Sequence, residues 1–263
     1  MHEQIKTILS ESKVDGNIVR LPEGQLARPV YEEVAKAIKL IGGKWKGGKT
    51  MGFVFESDPT ELLQKIAQGD KINLKKEFQF FATPQDLAAE MVHEANIQEG
   101  ETVAELQAGD GAIVNEILRR LRLLGGSGKV YISELMELNR MKLRKLYTGI
   151  DQVVFLEDVS EDFIDALNIK GMLFDKIVAN PPFNKNQDID HIRKMYDLLT
   201  PGGRLVTLSS KHWQYSSFNK EKAFEDWLYN EVDATVNSVA AGRFKESGTL
   251  IETLMITIDK PKL

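Results

Sequence analysis

The chain of 263 residues has no cysteine, which excludes disulfide bridges, thiolate metal ligands and thiol nucleophiles. It also lacks any apolar run near the ~20 residues that a bilayer-spanning helix needs. Its first residues, MHEQIKTILSESK, do not follow the basic-then-apolar pattern of a secretory signal, so none is expected. Internal repeats, low-complexity tracts and long Pro/Ser linkers are absent too. With 42% hydrophobic and 28% charged residues the composition is that of an ordinary globular protein. A soluble, cytoplasmic protein with no membrane partner is the expectation. An excess of positive charge is missing as well: 34 Lys and Arg stand against 39 Asp and Glu, a net charge of −5. That argues against a protein that coats nucleic acid non-specifically, because phosphate affinity comes from Lys and Arg.

What charge there is falls unevenly. Between Val34 and Phe55 there are five lysines (Lys36, Lys39, Lys44, Lys46, Lys49) and no acid, while acids collect in Glu157 to Asp165 and Glu221 to Asp233. One basic face on an acidic protein is therefore available.

The chain reads as two parts, a small N-terminal α+β module over 1–76 and a larger α/β domain over 77–263. In the first, Asn17 to Leu21 and Gly52 to Glu56 suit short strands. Ala27 to Ile41 carries Val30, Val34, Ala37, Ile38 and Ile41 at helical spacing. Ser57-Asp58-Pro59 then opens a helix over Thr60 to Ala67. From Phe78 onward, apolar strands alternate with amphipathic helices. The strands are Thr102 to Leu106, Lys129 to Ser133, Val153 to Leu156, Phe174 to Ala179, Arg204 to Ser209 and Leu250 to Ile258. Such alternation implies right-handed crossovers and a doubly wound, Rossmann-like, mostly parallel sheet. With no helix just before it, Leu250 to Ile258 is expected in a C-terminal antiparallel hairpin at the sheet edge. Ligands of such sheets bind at the carboxyl ends of the strands, where strand order reverses.

The strongest motif lies at one of those ends, Phe174-Asp-Lys-Ile-Val-Ala-Asn180-Pro181-Pro182-Phe183. Two successive prolines have fixed φ and no N–H to donate, so they make a stiff turn. That turn aims the Asn180 side chain and the Pro181 carbonyl in set directions, two acceptors for an amino group. Phe183 offers a flat apolar face to a base. A second strand ends in Glu105 and enters Leu106-Gln107-Ala108-Gly109-Asp110-Gly111, a glycine loop leading into a helix, where backbone and helix N-terminus suit an anionic ligand. Glu134 ends the next strand, with Glu137 as its fallback, and Asp158 follows the one after. Ahead of the loop, Phe80-Phe81-Ala82-Thr83-Pro84 precedes a helix that Thr83 could cap with Pro84 as its first residue.

In these motifs and their order, the chain resembles the amino-methyltransferase branch of the S-adenosylmethionine-dependent methyltransferases, over about residues 78–263. The resemblance implies direct methyl transfer to an exocyclic amine, without metal or covalent enzyme intermediate. Asn180, Pro181, Pro182 and Phe183 would form the catalytic loop, with Phe183 stacking on a flipped base. The cofactor would meet Phe81, Thr83, Glu105, Ala108, Gly109, Gly111 and Asn180. Glu134 would take the ribose hydroxyls and Asp158 the adenine amino group. Leu106 and Gln107 depart from the family's usual Pro and small residue. Asn first and Phe last in the catalytic loop is the form common among adenine-N6 enzymes. These also often have a hairpin like Phe244-Lys245-Glu-Ser-Gly-Thr249, which implies Phe244 and Lys245 near the substrate, with core packing of Phe244 as the alternative. Lys211-His212-Trp213 is placed to line the substrate cleft. The N-terminal module, with Lys44, Trp45 and Lys46 on a glycine turn, is similar to segments of phage- and plasmid-encoded adenine methyltransferases. It is a candidate nucleic-acid contact, with Trp45 packed on its own core as the competing reading. The expected substrate is adenine N6 in DNA, as in restriction-modification systems. RNA adenine, a protein glutamine, and an inactive cofactor-binding partner subunit are the alternatives. No large target-recognition domain follows the last motif, so specificity is expected from the module and surface loops. The protein is expected as monomer or homodimer.

Overall fold

The computed structural model describes residues 3–55, 58–69, 82–156, 163–244 and 252–262. The chain divides into two compact units, Met1–Phe80 and Phe81–Leu263.

In the first unit, α1 (Glu3–Glu11), β1 (Lys13–Asp15), β2 (Ile18–Arg20), α2 (Arg28–Leu40), β3 (Lys44–Lys46), β4 (Gly52–Val54) and α3 (Thr60–Gln68) follow in order. The strands form an antiparallel sheet, β1-β2-β4-β3. Its core is Leu9, Val19, Val34, Ile38, Phe53 and Ile66, all buried. The helix expected from the spacing of Val34, Ala37 and Ile38 is α2, with Pro29 in its first turn. Lys44–Lys46, read as part of a glycine turn, is instead a strand, with Trp45 opposite Phe53. The strand has three residues, all exposed, too few to establish a period in the sequence.

The second unit carries the larger sheet. Its elements are α4 (Gln85–Glu94), β5 (Thr102–Glu105), α5 (Ala112–Leu123), β6 (Lys129–Ile132), α6 (Glu137–Tyr147), β7 (Val153–Phe155), α7 (Phe163–Ile169), β8 (Phe174–Ala179), α8 (Gln187–Asp197), β9 (Leu199–Ser210), α9 (Asn219–Asp226), β10 (Thr235–Val239) and β11 (Thr253–Asp259). Among the described residues the sheet has seven strands in the order β10-β11-β9-β8-β5-β6-β7. β7, β6, β5, β8 and β9 are mutually parallel, and β11 runs antiparallel between β9 and β10. The doubly wound fold expected from the sequence is thus observed. The expected antiparallel hairpin is formed by β10 and β11 at the sheet edge, with β10 outermost. The sequence Thr235-Val-Asn-Ser-Val239 is mostly exposed and so carries little apolar signal.

Alternate residues of the strands face two cores. Val103, Val130, Val178, Val206 and Met255 pack against α4, α5 and α6. Ala104, Ile177, Leu205 and Ile256 pack against α7, α8 and α9. Helix α5 contributes Ile113, Val114, Ile117, Leu118 and Leu121, the stripe of a helix buried on one side. Strand order reverses between β5 and β8, whose carboxyl ends diverge to opposite faces.

The opposite, amino ends of these strands are tied by one carboxylate. Asp175 Oδ2 accepts the amide N–H (2.8 Å) and hydroxyl (2.7 Å) of Thr102 on β5, and Oδ1 accepts the hydroxyl of Thr200 on β9 (3.2 Å). Burial alone would push the Asp175 carboxyl up, but these hydrogen bonds, with the charge of Lys176, hold it below its ordinary value. A depressed carboxyl stabilises the fold above its unfolded pKa and loses that contribution as pH falls through the folded one. Asp175→Ala should therefore cost about 2 kcal/mol at neutral pH. Chemical denaturation of both proteins should show the difference shrinking toward pH 3; a difference that does not change with pH would contradict this role.

Candidate active site

The glycine loop is built by its own backbone on the ends of β5 and β6. Ser133 N–H donates to the Glu105 carbonyl (3.1 Å), and Ala108 N–H donates to the Ser133 carbonyl (2.9 Å). Gly109 N–H then donates to Glu134 Oε2 (2.7 Å), while Met136 N–H donates to Glu134 Oε1 (2.6 Å). Gly109 and Gly111 have φ of +55° and +91°, the left-handed region that glycine enters without strain. At Gly111 space is short as well, since a Cβ there would lie 2.5 Å from Tyr147 Oη. That hydroxyl lies 3.1 Å from the Gly111 carbonyl oxygen and 2.9 Å from Asn115 Oδ1. Burial, with the charge of Asp110, pushes the Tyr147 phenol up to about 12, so it stays a neutral hydrogen-bonding group. The chain leaves Gly111 directly into α5, whose first amides point back at the loop.

Two acids are sealed beneath this loop. Glu105 is fully buried; burial first, and the nearby Glu134 charge as well, raise its carboxyl well above the ordinary value despite the amide of Gln107. Glu134 is also raised by burial, against the hydrogen bonds of Met136 and Gly109. Glu105 Oε2 and Gln107 Oε1 are buried and have no hydrogen-bond partner among the described residues. Unsatisfied buried acceptors are costly to the ligand-free fold. The other end of Gln107 is engaged: Nε2 lies 3.4 Å from Nδ1 of His191 on α8. Burial lowers the His191 pKa, so the ring is neutral. The side chain that departs from the family pattern thus turns away from the glycines to bridge the loop and α8.

At the end of β8, Asn180 is half-buried, Pro181 is buried, and Phe183 is half-buried against the α4–α6 core. Asn180 Nδ2 donates to Thr83 Oγ1 at 3.1 Å. Thr83 does not cap α4. That helix starts at Gln85 with Pro84 in the capping position and no side-chain cap, and the hydroxyl serves Asn180 instead. The hydrogen bond fixes the plane of the Asn180 amide and assigns its NH2 end to Thr83. Because β5 and β8 are neighbours, Asn180 and the glycine loop leave adjacent strands at the reversal of strand order.

Other expected residues fall differently. Phe81, Asp158 and Lys245 lie outside the described residues. Glu137 is exposed and paired with Arg140, so Glu134 is the acid at the loop. Phe244 is 2% exposed within the α4–α6 core, the packing alternative rather than a side chain presented to a substrate. Trp213 does not line a cleft: it is buried, with Nε1 donating to Ser209 Oγ (3.0 Å). In the first unit, Lys44 and Lys46 are exposed and Trp45 is 44% exposed. Edge-on contacts with Phe53 and Tyr31, at 5.1 and 6.4 Å between ring centroids, hold the Trp45 indole. The residues that sequence reasoning missed are His191, Asp188 and Glu221, each joined to its partner across 22 to 84 residues with no local pattern to mark it.

No protein-family model matches the chain. Among curated proteins it is 31% identical over 175 residues to the ubiquinone/menaquinone biosynthesis C-methyltransferase UbiE of Escherichia coli, an alignment covering 61% of this chain and 66% of that protein. Among solved structures it is similar to a type I restriction-modification methyltransferase subunit from Streptococcus thermophilus (TM-score 0.57, 20% identity, 68% of this chain and 44% of that one). It is also similar to the M protein of the type I restriction enzyme EcoKI (TM-score 0.54, 13% identity, 90% and 55%). A third is the O-methyltransferase TomG from Streptomyces achromogenes, solved with S-adenosylmethionine (TM-score 0.52, 14% identity, 71% and 86%). The fold is therefore the Rossmann-like fold of S-adenosylmethionine-dependent methyltransferases. The chain spans about two thirds or less of the curated relatives and of the two restriction subunits. Because proteins named for methylation at carbon and at oxygen share the fold, it does not decide the acceptor atom; the site must.

The raised Glu105 carboxyl has a stability consequence. A folded pKa above the ordinary 4.5 means that stability declines as pH rises from about that value toward the folded pKa. Glu105→Gln, which keeps an acceptor for the Gln107 amide, should raise the melting temperature of the ligand-free protein, by more at pH 8 than at pH 5. Equal shifts at both values would contradict burial of an ionisable group there.

Proposed function

We propose that this protein transfers a methyl group from S-adenosylmethionine to the N6 amino group of adenine in DNA. The observation that carries the reading is the Asn180 amide, tethered to Thr83 at the end of β8 beside the glycine loop of β5. The cofactor suits the loop: positive-φ glycines allow close approach, the α5 N-terminus favours a carboxylate, and the unpartnered Glu105 Oε2 suits an ammonium. Glu134, whose carboxylate oxygens each hold one backbone amide, has lone pairs left for ribose hydroxyls. Bound there, S-adenosylmethionine would supply a methyl group on a positively charged sulfur.

The chain's own contribution is to position and polarise the amine. Oδ1 of Asn180 and the Pro181 carbonyl oxygen accept the two N–H bonds of a planar exocyclic amine. Withdrawing those protons toward oxygen returns lone-pair density to the nitrogen and sets it for in-line attack. The face of Phe183 stacks on the base. The nitrogen becomes positively charged as the N–C bond forms and then gives up one N–H proton readily, so the reaction needs no strong base. In the first unit, exposed Lys44, Lys46 and Lys49 around a braced, half-exposed Trp45 suit phosphate contact and stacking. A partner subunit is part of the same reading, since the similar Streptococcus thermophilus protein is a subunit of a restriction-modification system.

The test is incubation with labelled cofactor and plasmid DNA, total RNA or cell lysate, followed by identification of the modified residue. Label in DNA as N6-methyladenine is expected; label in RNA or protein only would replace the substrate, and no label anywhere would end the enzyme reading. Asn180→Ala should slow transfer about 10²–10³-fold, the scale set by loss of one preorganised polar group, with cofactor affinity retained. Phe183→Ala should lower turnover and leave cofactor affinity alone. Replacing Lys44, Lys46 and Lys49 together should flatten the dependence of log affinity on log salt by up to about 3. An unchanged slope would remove the module from the nucleic-acid contact.

A further inference from the structure

The segment that follows Phe183 is held in an unusual shape. Lys185 and Asn186 are consecutive non-glycine residues in the left-handed region, with φ of +52° and +59°. Such residues persist only where surrounding contacts over-determine them. The contacts come from the segment that follows β9. Asn186 Nδ2 donates to Glu221 Oε1 at 2.6 Å, and Lys220 Nζ donates to the Asn186 carbonyl at 3.3 Å. His212 Nε2 lies 3.6 Å from the same Glu221 oxygen. Two residues on, Asp188 Oδ2 accepts both the amide and the hydroxyl of Ser210, the last residue of β9, at 2.9 and 3.0 Å. Lys220 also pairs with Asp190 at 2.6 Å. Asp188 is fully buried and Glu221 is 3% exposed, between the exposed Lys220 and Lys222. Long-range hydrogen bonds to buried carboxylates are strong and directional.

We propose that Glu221 and Asp188 are positioning residues: they clamp 184–190 to α9 and to the end of β9 and so set the direction in which Asn180 and Phe183 face the acceptor amine. The inference rests on the reading of Asn180 and Phe183 as the groups that meet that amine. The prolines transmit the clamp. With Pro181 and Pro182 stiff, the turn between β8 and α8 is fixed at one end by the sheet and at the other by Asp188 and Asn186. Releasing the far end would let the acceptor geometry relax by the small distances to which aligned reactions are most sensitive.

The test compares Glu221→Ala, Glu221→Gln and Asn186→Gly in the full chain. Glu221→Gln keeps an oxygen to accept the Asn186 amide. Asn186→Gly keeps the left-handed backbone, which glycine adopts freely, and removes only the side-chain tie. Two readouts are taken: turnover with S-adenosylmethionine and plasmid DNA, and hydrogen exchange of peptides covering 180–190. Glu221→Ala and Asn186→Gly should lower kcat on the order of 10²-fold, leave cofactor affinity unchanged, and speed exchange in 180–190 but not in 102–111. Glu221→Gln should stay close to wild type in both. Faster exchange with unchanged kcat would overturn the positioning role, and unchanged exchange would overturn the clamp itself. If wild-type protein transfers no methyl group, the proposed function has failed; exchange then decides the clamp alone, and unaltered protection in Glu221→Ala would still overturn it.

Discussion

The carboxylate of Glu134 is the interaction on which the site depends. It is buried at the end of β6, yet it does not reach toward solvent: one oxygen takes the Gly109 amide and the other the Met136 amide. A glycine loop has little side-chain packing to define it, and glycine loses more conformational freedom on folding than any other residue. Glu134 supplies the missing definition by holding the loop of one strand against the end of the next. Burial raises the pKa of this acid and of its neighbour Glu105. Two acids kept so close in a dry place are a cost to the ligand-free fold that a donor-rich ligand would offset.

From that lock the remaining geometry follows by topology. β5 and β8 are neighbours whose chains leave in opposite directions, so the glycine loop and the Asn180–Phe183 turn diverge from one point. Asp175 ties β5, β8 and β9 together at their amino ends. Thr83 reaches Asn180 from just before α4, across 97 residues of sequence. His191 and Gln107 bridge α8 to the loop. The cofactor half and the acceptor half of the proposed site are thus parts of one hydrogen-bonded frame, whereas the basic strand β3 belongs to a separate compact unit.

Much of this was legible in the sequence, for identifiable reasons. Asn180-Pro-Pro-Phe183 could be placed because an apolar strand running into two prolines admits few conformations. Glu105 and Glu134 could be placed because each follows an apolar strand directly. Both sheet cores follow from strands that are apolar on both faces. Polar partnerships were another matter. A threonine before a helix signals a cap, and only the three-dimensional arrangement shows Thr83 serving Asn180. Strands β3 and β10 were missed because their residues are mostly exposed, so the period that reveals a strand is absent. Trp213 was assigned to a cleft on position and Phe244 to the substrate by the resemblance of its hairpin, with core packing as the alternative; both fill the core, where large apolar side chains have most to gain. Asp188 and Glu221 left no trace, since a buried acid on a charged helix looks like a solvated one until its partner is known.

Hydrogen exchange with and without S-adenosylhomocysteine, the product of methyl transfer from S-adenosylmethionine, tests the central claim most directly. If the loop locked by Glu134 is the cofactor site, exchange should slow in peptides covering 105–111, 133–136 and 180–183 and stay unchanged in 3–55. No protection at the glycine loop, or protection confined to the first unit, would contradict it.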